Sequence, residues 1–308
     1  MTRAGSTRHA WSDQWRTTIW AVVVVPPVAV CAAAALAAKG HVEVTDVGIC
    51  AVMFVATLLG IEAGYHRQFA HRSFSAGPIV RSCLAGLGSM AFQGSVLWWA
   101  GVHRTHHRHA DREGDPHSPL HGLLHAHVGW LFRNLDPPDW RRRARDLFRD
   151  GVARWATRLY FTFVIVGFAL PALMGASVRG SWQGFVSGLL WGGLVRMFLV
   201  NHVIWSINSI CHAYGSRPYA TRDRSANNPW LALPSLGFSW HNNHHAFPRS
   251  AVNSHERWQL DLSGLFIQLL GMLGLAWSVR KSPAATLRLR RARPVDATNP
   301  VVARAEGA

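Results

Sequence analysis

The stretch IWAVVVVPPVAVCAAAALAA, from Ile19 to Ala38, decides the fold. It carries no charge, and at about 1.5 Å per residue it is long enough to cross a bilayer as a helix. A cleaved signal peptide is excluded, because the run is too long and a second apolar run follows after a short link. Similar runs occupy residues 47–65, 159–178 and 185–207. The sequence therefore predicts an all-α integral membrane protein with four transmembrane helices in two tight hairpins.

The composition agrees with a protein built largely in a membrane. Hydrophobic residues make up 49% of the 308-residue chain and charged residues 16%, against roughly 25% charged residues in soluble domains. This apolar content excludes a disordered chain. The four cysteines form no C-x-x-C pair, which excludes a disulfide framework, a zinc ribbon and an iron–sulfur cluster.

The arginine distribution predicts the orientation in the membrane. The hairpin tips carry only Lys39 and Arg179, whereas the middle segment and the C-terminal tail hold most of the basic residues behind the net charge of +16. Positive loops stay in the cytoplasm, so we expect both termini and the middle segment there, in a multi-pass protein of the cell membrane. Arginines that flank apolar spans meet anionic lipid, which argues against nucleic-acid binding.

Two further apolar stretches, Val80–Gly101 and Leu262–Val279, contain polar residues. If either crossed the membrane alone, the histidine clusters described below would lie on opposite sides, so both are predicted to be interfacial or buried cytoplasmic helices. Residues 1–18 form a predicted cytoplasmic N-terminal segment, and residues 282–308 a basic, disordered tail.

The histidines concentrate in four elements, each at the cytoplasmic end of an apolar segment. Box one is His66 and His71, box two is His103, His106 and His107, and box three is His241, His244 and His245; Asn208 and His212 form the fourth element. Residues three and four apart share a helix face, so each of the last three sets points one way. His66 and His71 would lie about 140° apart on a regular α-helix, and they converge only if the helix ends or distorts between them.

Such a collection of imidazoles predicts a metal centre. Neutral imidazole is a ligand for zinc, copper, nickel and iron. Nine histidines exceed what one ion uses but suffice for two ions with open positions. The other histidines are expected to be hydrogen-bonded or interfacial residues: His9, His41, His109, His117, His121, His125, His127, His202 and His255.

From about Tyr65 to Val279 the sequence resembles the membrane fatty acid desaturases, in particular the stearoyl-CoA (Δ9) type. The resemblance includes the three boxes and several segments between them: Met90–Gln93, Trp99–Ala100, Asp115–Ser118, His127–Trp130, Trp205, Asn208–Ser209 and Trp240–His245. It implies a desaturase domain over residues 19–281, in which the four spans carry a cytoplasmic helical cap with a His-rich di-iron site.

The resemblance also assigns residues. Its implied iron ligands are His66, His71, His103, His106, His107, His212, His241, His244 and His245, with Asn208 reaching one metal through a water. Gln93, Trp99 and Trp205 match residues that line the acyl tunnel. Animal acyl-CoA members carry Arg-Asp before box two, where this chain has Gly101-Val102, and Gly94 replaces a polar residue after Gln93. An acyl-CoA, acyl-carrier-protein or lipid-bound substrate therefore remains open.

The implied reaction is O2-dependent insertion of a cis double bond, at Δ9 by this type, with two electrons from an external donor such as a ferredoxin or a cytochrome. No dinucleotide-binding or four-cysteine motif supplies electrons from within the chain. Arg141–Arg145 is the expected docking patch for the donor, and the alternative is that these arginines contact lipid headgroups. Two alternatives are a hydroxylase or acetylenase of the same superfamily, and a metal transporter. A transporter would place ionisable residues along its spans, where only Glu62, Arg196 and His202 approach such positions.

Overall fold

The four predicted spans are present in the computed structural model, which describes residues 5–133 and 139–291. Helices long and apolar enough to cross a membrane are Thr17–Ala38, Val44–Ala70, Tyr160–Arg179 and Trp182–His212. Short links at 39–43 and 180–181 join them into two hairpins. The first helix, α1 (Gly5–Ala38), begins well before its span and runs through Pro26 and Pro27. The predicted N-terminal segment is therefore helical from Gly5 onward.

Two of the spans combine different helix types. The second consists of α2 (Val44–Leu59) and a π-helix, Gly60–Ala70. The third is α8 (Tyr160–Arg179). The fourth consists of α9 (Trp182–Gly188), a π-helix (Leu189–Val195), α10 (Arg196–Ser209) and a 3₁₀ turn (Ile210–His212).

Ion pairs join the two hairpins at their tips. The Arg179 guanidinium lies 2.5 Å from Glu43 and 3.6 Å from the buried Asp46. Ser187 donates to the same Asp46 carboxylate over 2.6 Å. Between the spans, Arg196 is fully buried and donates to the carbonyls of Gly192, Met90 and Gly167. These contacts fix the spans relative to each other and to the backbone at Met90.

The cap contains the two apolar stretches that were not predicted to cross the membrane. The first is not one helix but two, α3 (Pro78–Met90) and α4 (Val96–His109). The break between them contains Phe92 at φ 60° and Gly94 at φ 94°, values that no helix tolerates. The second is α12 (Leu262–Met272), followed by β2 (Ala276–Trp277), which pairs antiparallel with β1 (Ser75–Ala76). Each helix is too short to span a bilayer.

Shorter helices complete the cap: α5 (Trp130–Arg133), α6 (Trp140–Arg143), α7 (Gly151–Arg158), α11 (His241–Ala246) and α13 (Ala284–Arg290). The last lies within the tail that is predicted to be disordered, and its Leu287 packs against Tyr219 and Phe247. Residues 292–308 of that tail lie outside the described residues. The main hydrophobic core lies where the spans meet the cap and includes Ile19, Tyr65, Trp99, Trp205 and Phe238.

Candidate metal centre

Box one lies at the end of the second span, where His66 is on the π-helix and His71 immediately follows its last residue. A π-helix joins residues five apart by hydrogen bonds, and the His71 N–H donates to the His66 carbonyl over 3.0 Å. The two imidazoles consequently face the same space, with ring centroids 4.8 Å apart. This is the distortion that the five-residue spacing required.

Boxes two and three lie on α4 and α11, and His212 lies on the 3₁₀ turn that ends the fourth span. Helix α11 has only six residues, so its position depends on side-chain contacts. Asn243 provides them: its Nδ2 donates to the Asn253 carbonyl over 2.7 Å and to Gln259 Oε1 over 2.9 Å, and its Oδ1 accepts from Asn227 over 2.7 Å.

The structure brings all nine predicted histidines together, in two groups whose ligand atoms lie within 4.8 Å of one another. One group contains His66, His71, His103, His107 and His244; the other contains His106, His212, His241 and His245. Facing Nε2 atoms lie 2.8 Å apart in His71–His103, 2.9 Å in His107–His244, 3.0 Å in His66–His244 and 2.9 Å in His212–His241. Two nitrogens bound at right angles to one ion, each at about 2.1 Å, would lie about 3.0 Å apart.

Unpaired nitrogens in the second group support the fit of a metal. The Nε2 atoms of His106 and His245 are buried and have no hydrogen-bond partner among the described residues. A buried polar atom without a partner costs about 1–3 kcal/mol, and an ion within the second group would bind both lone pairs. The donor set is nitrogen from imidazole alone, which suits iron, copper, nickel or zinc.

Carboxylates orient four of the imidazoles. Each of the four has its Nδ1 within hydrogen-bond distance of one acid. The distances are 2.7 Å for His66 and Glu62, 3.0 Å for His106 and Asp115, 2.8 Å for His212 and Asp111, and 2.9 Å for His245 and Asp223. A carboxylate that accepts from Nδ1 leaves Nε2 free to bind metal, as is typical of histidine ligands. Although burial opposes the shift, these histidines lower the pKa of Asp111, Asp115 and Asp223, so the three carboxyls stay ionised.

The sequence reasoning missed these four acids as partners of the ligands. Glu62 was detectable, because it precedes His66 by four residues on a helix. Asp111 and Asp115 follow box two closely, but Asp223 lies in an irregular loop and has no spacing signal.

A buried ion cluster holds Glu62 in place. Arg67 donates to Glu62 Oε1 from Nε over 2.9 Å and from Nη2 over 2.6 Å. It also donates to both oxygens of Asp261 over 3.0 and 2.9 Å, and to the Ala251 carbonyl. Asp261 in turn accepts from the Gly264 N–H at the start of α12. The cap is therefore connected through two charges to the helix that carries box one.

Burial keeps most of these imidazoles neutral. Desolvation and neighbouring imidazoles lower the pKa of the ligand candidates on the cap well below its usual value: His71, His103, His107, His241 and His244. Burial also lowers the pKa of His245 to about 4, although Asp223 opposes this. His106 is the exception, because Asp115 raises its pKa more than burial lowers it. Neutral imidazole is the form that binds metal.

An apolar cavity lies beside the first histidine group. Aromatic and aliphatic side chains form most of its lining, as is typical of ligand pockets. All three predicted tunnel residues, Gln93, Trp99 and Trp205, line it, together with Asn208 and His103. Gln93 Nε2 donates to Asn201 Oδ1 over 3.0 Å, which fixes the amide in the wall.

The remaining histidines lie outside the two groups. His127 and His202 contact each other over 2.9 Å, with His127 also 3.0 Å from Ser209, and His255 contacts the Tyr219 hydroxyl over 3.1 Å. His121 and His125 contact each other through their rings, and His41 is exposed. His117 is closer to the metal centre than expected, since it forms a third group with His106 and Asp115. The side chain of His9 lies outside the described residues.

Comparisons with known proteins agree with this geometry. The family model of fatty acid desaturases matches residues 46–266. A hex-5-enoyl-[acyl-carrier protein] acetylenase of Moorena producens is 40% identical over 280 residues, which are 87% of this chain and 87% of that protein. An sn-1 stearoyl-lipid 9-desaturase of Anabaena variabilis is 37% identical over 76% of this chain and 84% of its own length. An acyl-CoA C20 Δ5-desaturase of Anemone leveillei is 36% identical, over 75% and 73%.

Proposed function

The chain belongs to the fatty acid desaturase family, and from this premise we propose that it is a di-iron acyl desaturase that inserts a cis double bond at Δ9 of a saturated acyl chain. The observation that carries the proposal is the convergence of nine histidines, from four separate segments, beside an apolar cavity. An unactivated methylene has no acidic proton, so acid–base catalysis cannot break its C–H bonds.

The ligand assignment follows the two groups. Five histidines would hold one iron (His66, His71, His103, His107 and His244), and four would hold the other (His106, His212, His241 and His245). Asn208, which faces the cavity, would reach one of the two irons through a water. Bound iron supplies the capacity to activate O2 for C–H oxidation.

The overall reaction balances as –CH2–CH2– + O2 + 2 e⁻ + 2 H⁺ giving –CH=CH– + 2 H2O. The two electrons come from an external carrier. The chain's own part is to bind, orient and exclude water: the walls formed by Trp99, Trp205 and Gln93 hold the acyl chain, and the position of the chain determines which carbons face the metal.

The cytoplasmic ends of the spans carry the site in this proposal. The basic middle segment supports a cytoplasmic location for the histidine groups and both termini, with the hairpin tips around Lys39 and Arg179 on the other side. The transporter alternative has little support, because Glu62 and Arg196 are both bound within the protein and His202 is bound by His127.

One specific observation favours a second candidate, an acetylenase. The relative from Moorena producens carries that name and is similar over 87% of this chain. The same relative makes an acyl-carrier-protein substrate a candidate, whereas the relative from Anabaena variabilis points to a lipid-bound one. Loss of the Arg-Asp pair at Gly101-Val102 fits either of these better than acyl-CoA.

Product analysis tests the proposal. The chain is expressed in a host without its own desaturase, and fatty methyl esters are separated by gas chromatography with mass-spectrometric location of the double bond. We expect a cis Δ9 monoene, its loss in His244→Ala, and its retention in the matched control His41→Ala, an exposed histidine. Only hydroxylated or acetylenic products would refute the desaturase assignment, and a product from His244→Ala would refute the site.

A further inference from the structure

A second depression reaches the metal centre from the protein surface. Its floor includes His71 and His107, and its rim includes Arg72, Arg104, Arg249 and Asp146. We call this depression the arginine groove. It approaches the five-histidine group through two ligands that do not line the acyl cavity, which reaches the same group at His103.

The floor of the groove consists of the two most accessible members of that group. His71 and His107 are only partly buried, whereas His66, His103 and His244 are buried. An imidazole edge at the bottom of an open groove is the shortest route by which an electron reaches a metal that is otherwise surrounded by protein. The surface above these two rings is therefore the place where a redox partner gains most by docking.

The rim of the groove is positively charged. Arg72 and Arg104 both bond to Asp146, which is one carboxylate for two guanidiniums. Burial tends to raise the pKa of Asp146, but Arg104 and Arg72 lower it by more, so this acid stays ionised. Arg249 is exposed, and within the described part of the chain no carboxylate lies within 4 Å of it. The three arginines and one acid leave a local charge of about +2.

We propose that the arginine groove is the docking surface for an acidic one-electron carrier protein, which visits twice in each turnover. This inference rests on the proposed function. Positive residues around the exposed ligand edges would steer such a partner and orient it, and a small charged interface suits a transient electron-transfer complex. The predicted patch Arg141–Arg145 borders the groove, since Arg104 donates to the Arg143 carbonyl, but its side chains do not form the rim.

Arg249 is the residue that tests the proposal, because its side chain has no partner in the ion-pair network whose loss would disturb the fold. The full chain in nanodiscs is titrated with an acidic [2Fe–2S] ferredoxin by biolayer interferometry at about 50 and 200 mM salt. We expect Arg249→Glu to weaken ferredoxin binding about tenfold, and Arg249→Lys to retain most of the affinity. Arg142→Glu, an equal charge reversal on the neighbouring patch, should change affinity less than threefold.

A kinetic readout separates docking from a structural effect. Oxidation of reduced ferredoxin, followed by its absorbance, should show a higher KM for ferredoxin in Arg249→Glu with kcat unchanged, and the thermal midpoint should equal that of the wild type. Equal binding by Arg249→Glu and wild type, an equal or larger loss in Arg142→Glu, or no binding of ferredoxin to the wild type would overturn the proposal. The proposal would also be overturned if Arg249→Glu lost affinity for acyl-carrier protein but kept its affinity for ferredoxin. Failure of the proposed function would appear separately, as absence of unsaturated product.

Discussion

Replacement of Glu62 by Gln should weaken metal binding more than any comparable change in the same ion cluster. One oxygen of Glu62 accepts from His66 Nδ1 over 2.7 Å and the other accepts twice from Arg67. A glutamine offers one acceptor and one N–H2 group, so either His66 or Arg67 loses its partner. Loss of a partner that orients a histidine ligand typically reduces metal affinity 10–100-fold, which is about 1.4–2.7 kcal/mol.

The matched control is Asp261→Asn. Asp261 contacts the same Arg67 with two bonds and begins α12, but it does not contact a histidine. Breaking a buried ion pair costs about 3–5 kcal/mol, so both variants should unfold at lower temperature. Asp261→Asn should lose at least as much stability as Glu62→Gln, because its one remaining acceptor oxygen cannot serve Arg67, the Asn253 N–H and the Gly264 N–H together, yet it should keep its metal affinity.

Iron retention measures the difference. Each variant is loaded with iron, dialysed against graded concentrations of chelator and analysed for metal content, and its thermal midpoint is recorded by tryptophan fluorescence. Wild-type protein should hold about two irons per chain. The orientation argument is wrong if Glu62→Gln retains iron like the wild type, or if the two variants lose iron equally at equal stability.

Four further substitutions have expected outcomes. Gly94→Ala places a Cβ 2.4 Å from the Trp98 ring at a φ of 94°, so it should cost about 1–3 kcal/mol and shift product chain length. Gly122→Ala, at φ 101° with open space around the new Cβ, should cost a similar amount of stability without a change in product chain length. Melting experiments measure the stability, and chromatography measures the product. Arg196→Lys keeps the charge but gives up the guanidinium fork, so loss of two of three carbonyl bonds should cost roughly 3 kcal/mol in melting experiments. Burial lowers the pKa of His255 to about 4. Between pH 6.5 and pH 4, roughly, only the unfolded chain takes up this proton, so the folded state loses stability as the pH is lowered. His255→Gln should remove about 2 kcal/mol of that loss at pH 5, measured by melting at pH 7 and pH 5.

The spans and the histidine groups were predictable because each depends on local spacing. A charge-free run such as 19–38 has only one stable environment, and histidines three and four apart share a helix face. The distortion between His66 and His71 was also required by spacing, although its form as a π-helix was not. The location of the site at one end of the spans followed from the positions of the boxes along the chain.

The parts that were missed depend on contacts between distant residues. Arg67 and Asp261 meet although they are 194 positions apart, and no periodicity in the sequence connects them. Asp223 reaches His245 from a loop, for the same reason without a pattern. The break at Phe92 and Gly94 was hidden by continuous apolar character, because hydrophobicity does not distinguish one buried helix from two. The helix Ala284–Arg290 forms where Leu287 finds apolar neighbours, which composition alone did not reveal.

The π-helix Gly60–Ala70 has a consequence for protein engineering. A designer who transplants box one onto an ideal bundle would place His66 and His71 on different sides of their helix, and the copied motif would bind no more than a fragment of the centre. Widening the turn is thus part of the motif, as much as the imidazoles are. A scaffold that is to accept this chemistry needs either one irregular helix or a spacing shortened by one residue, which brings the two histidines four apart and onto one face of a regular helix.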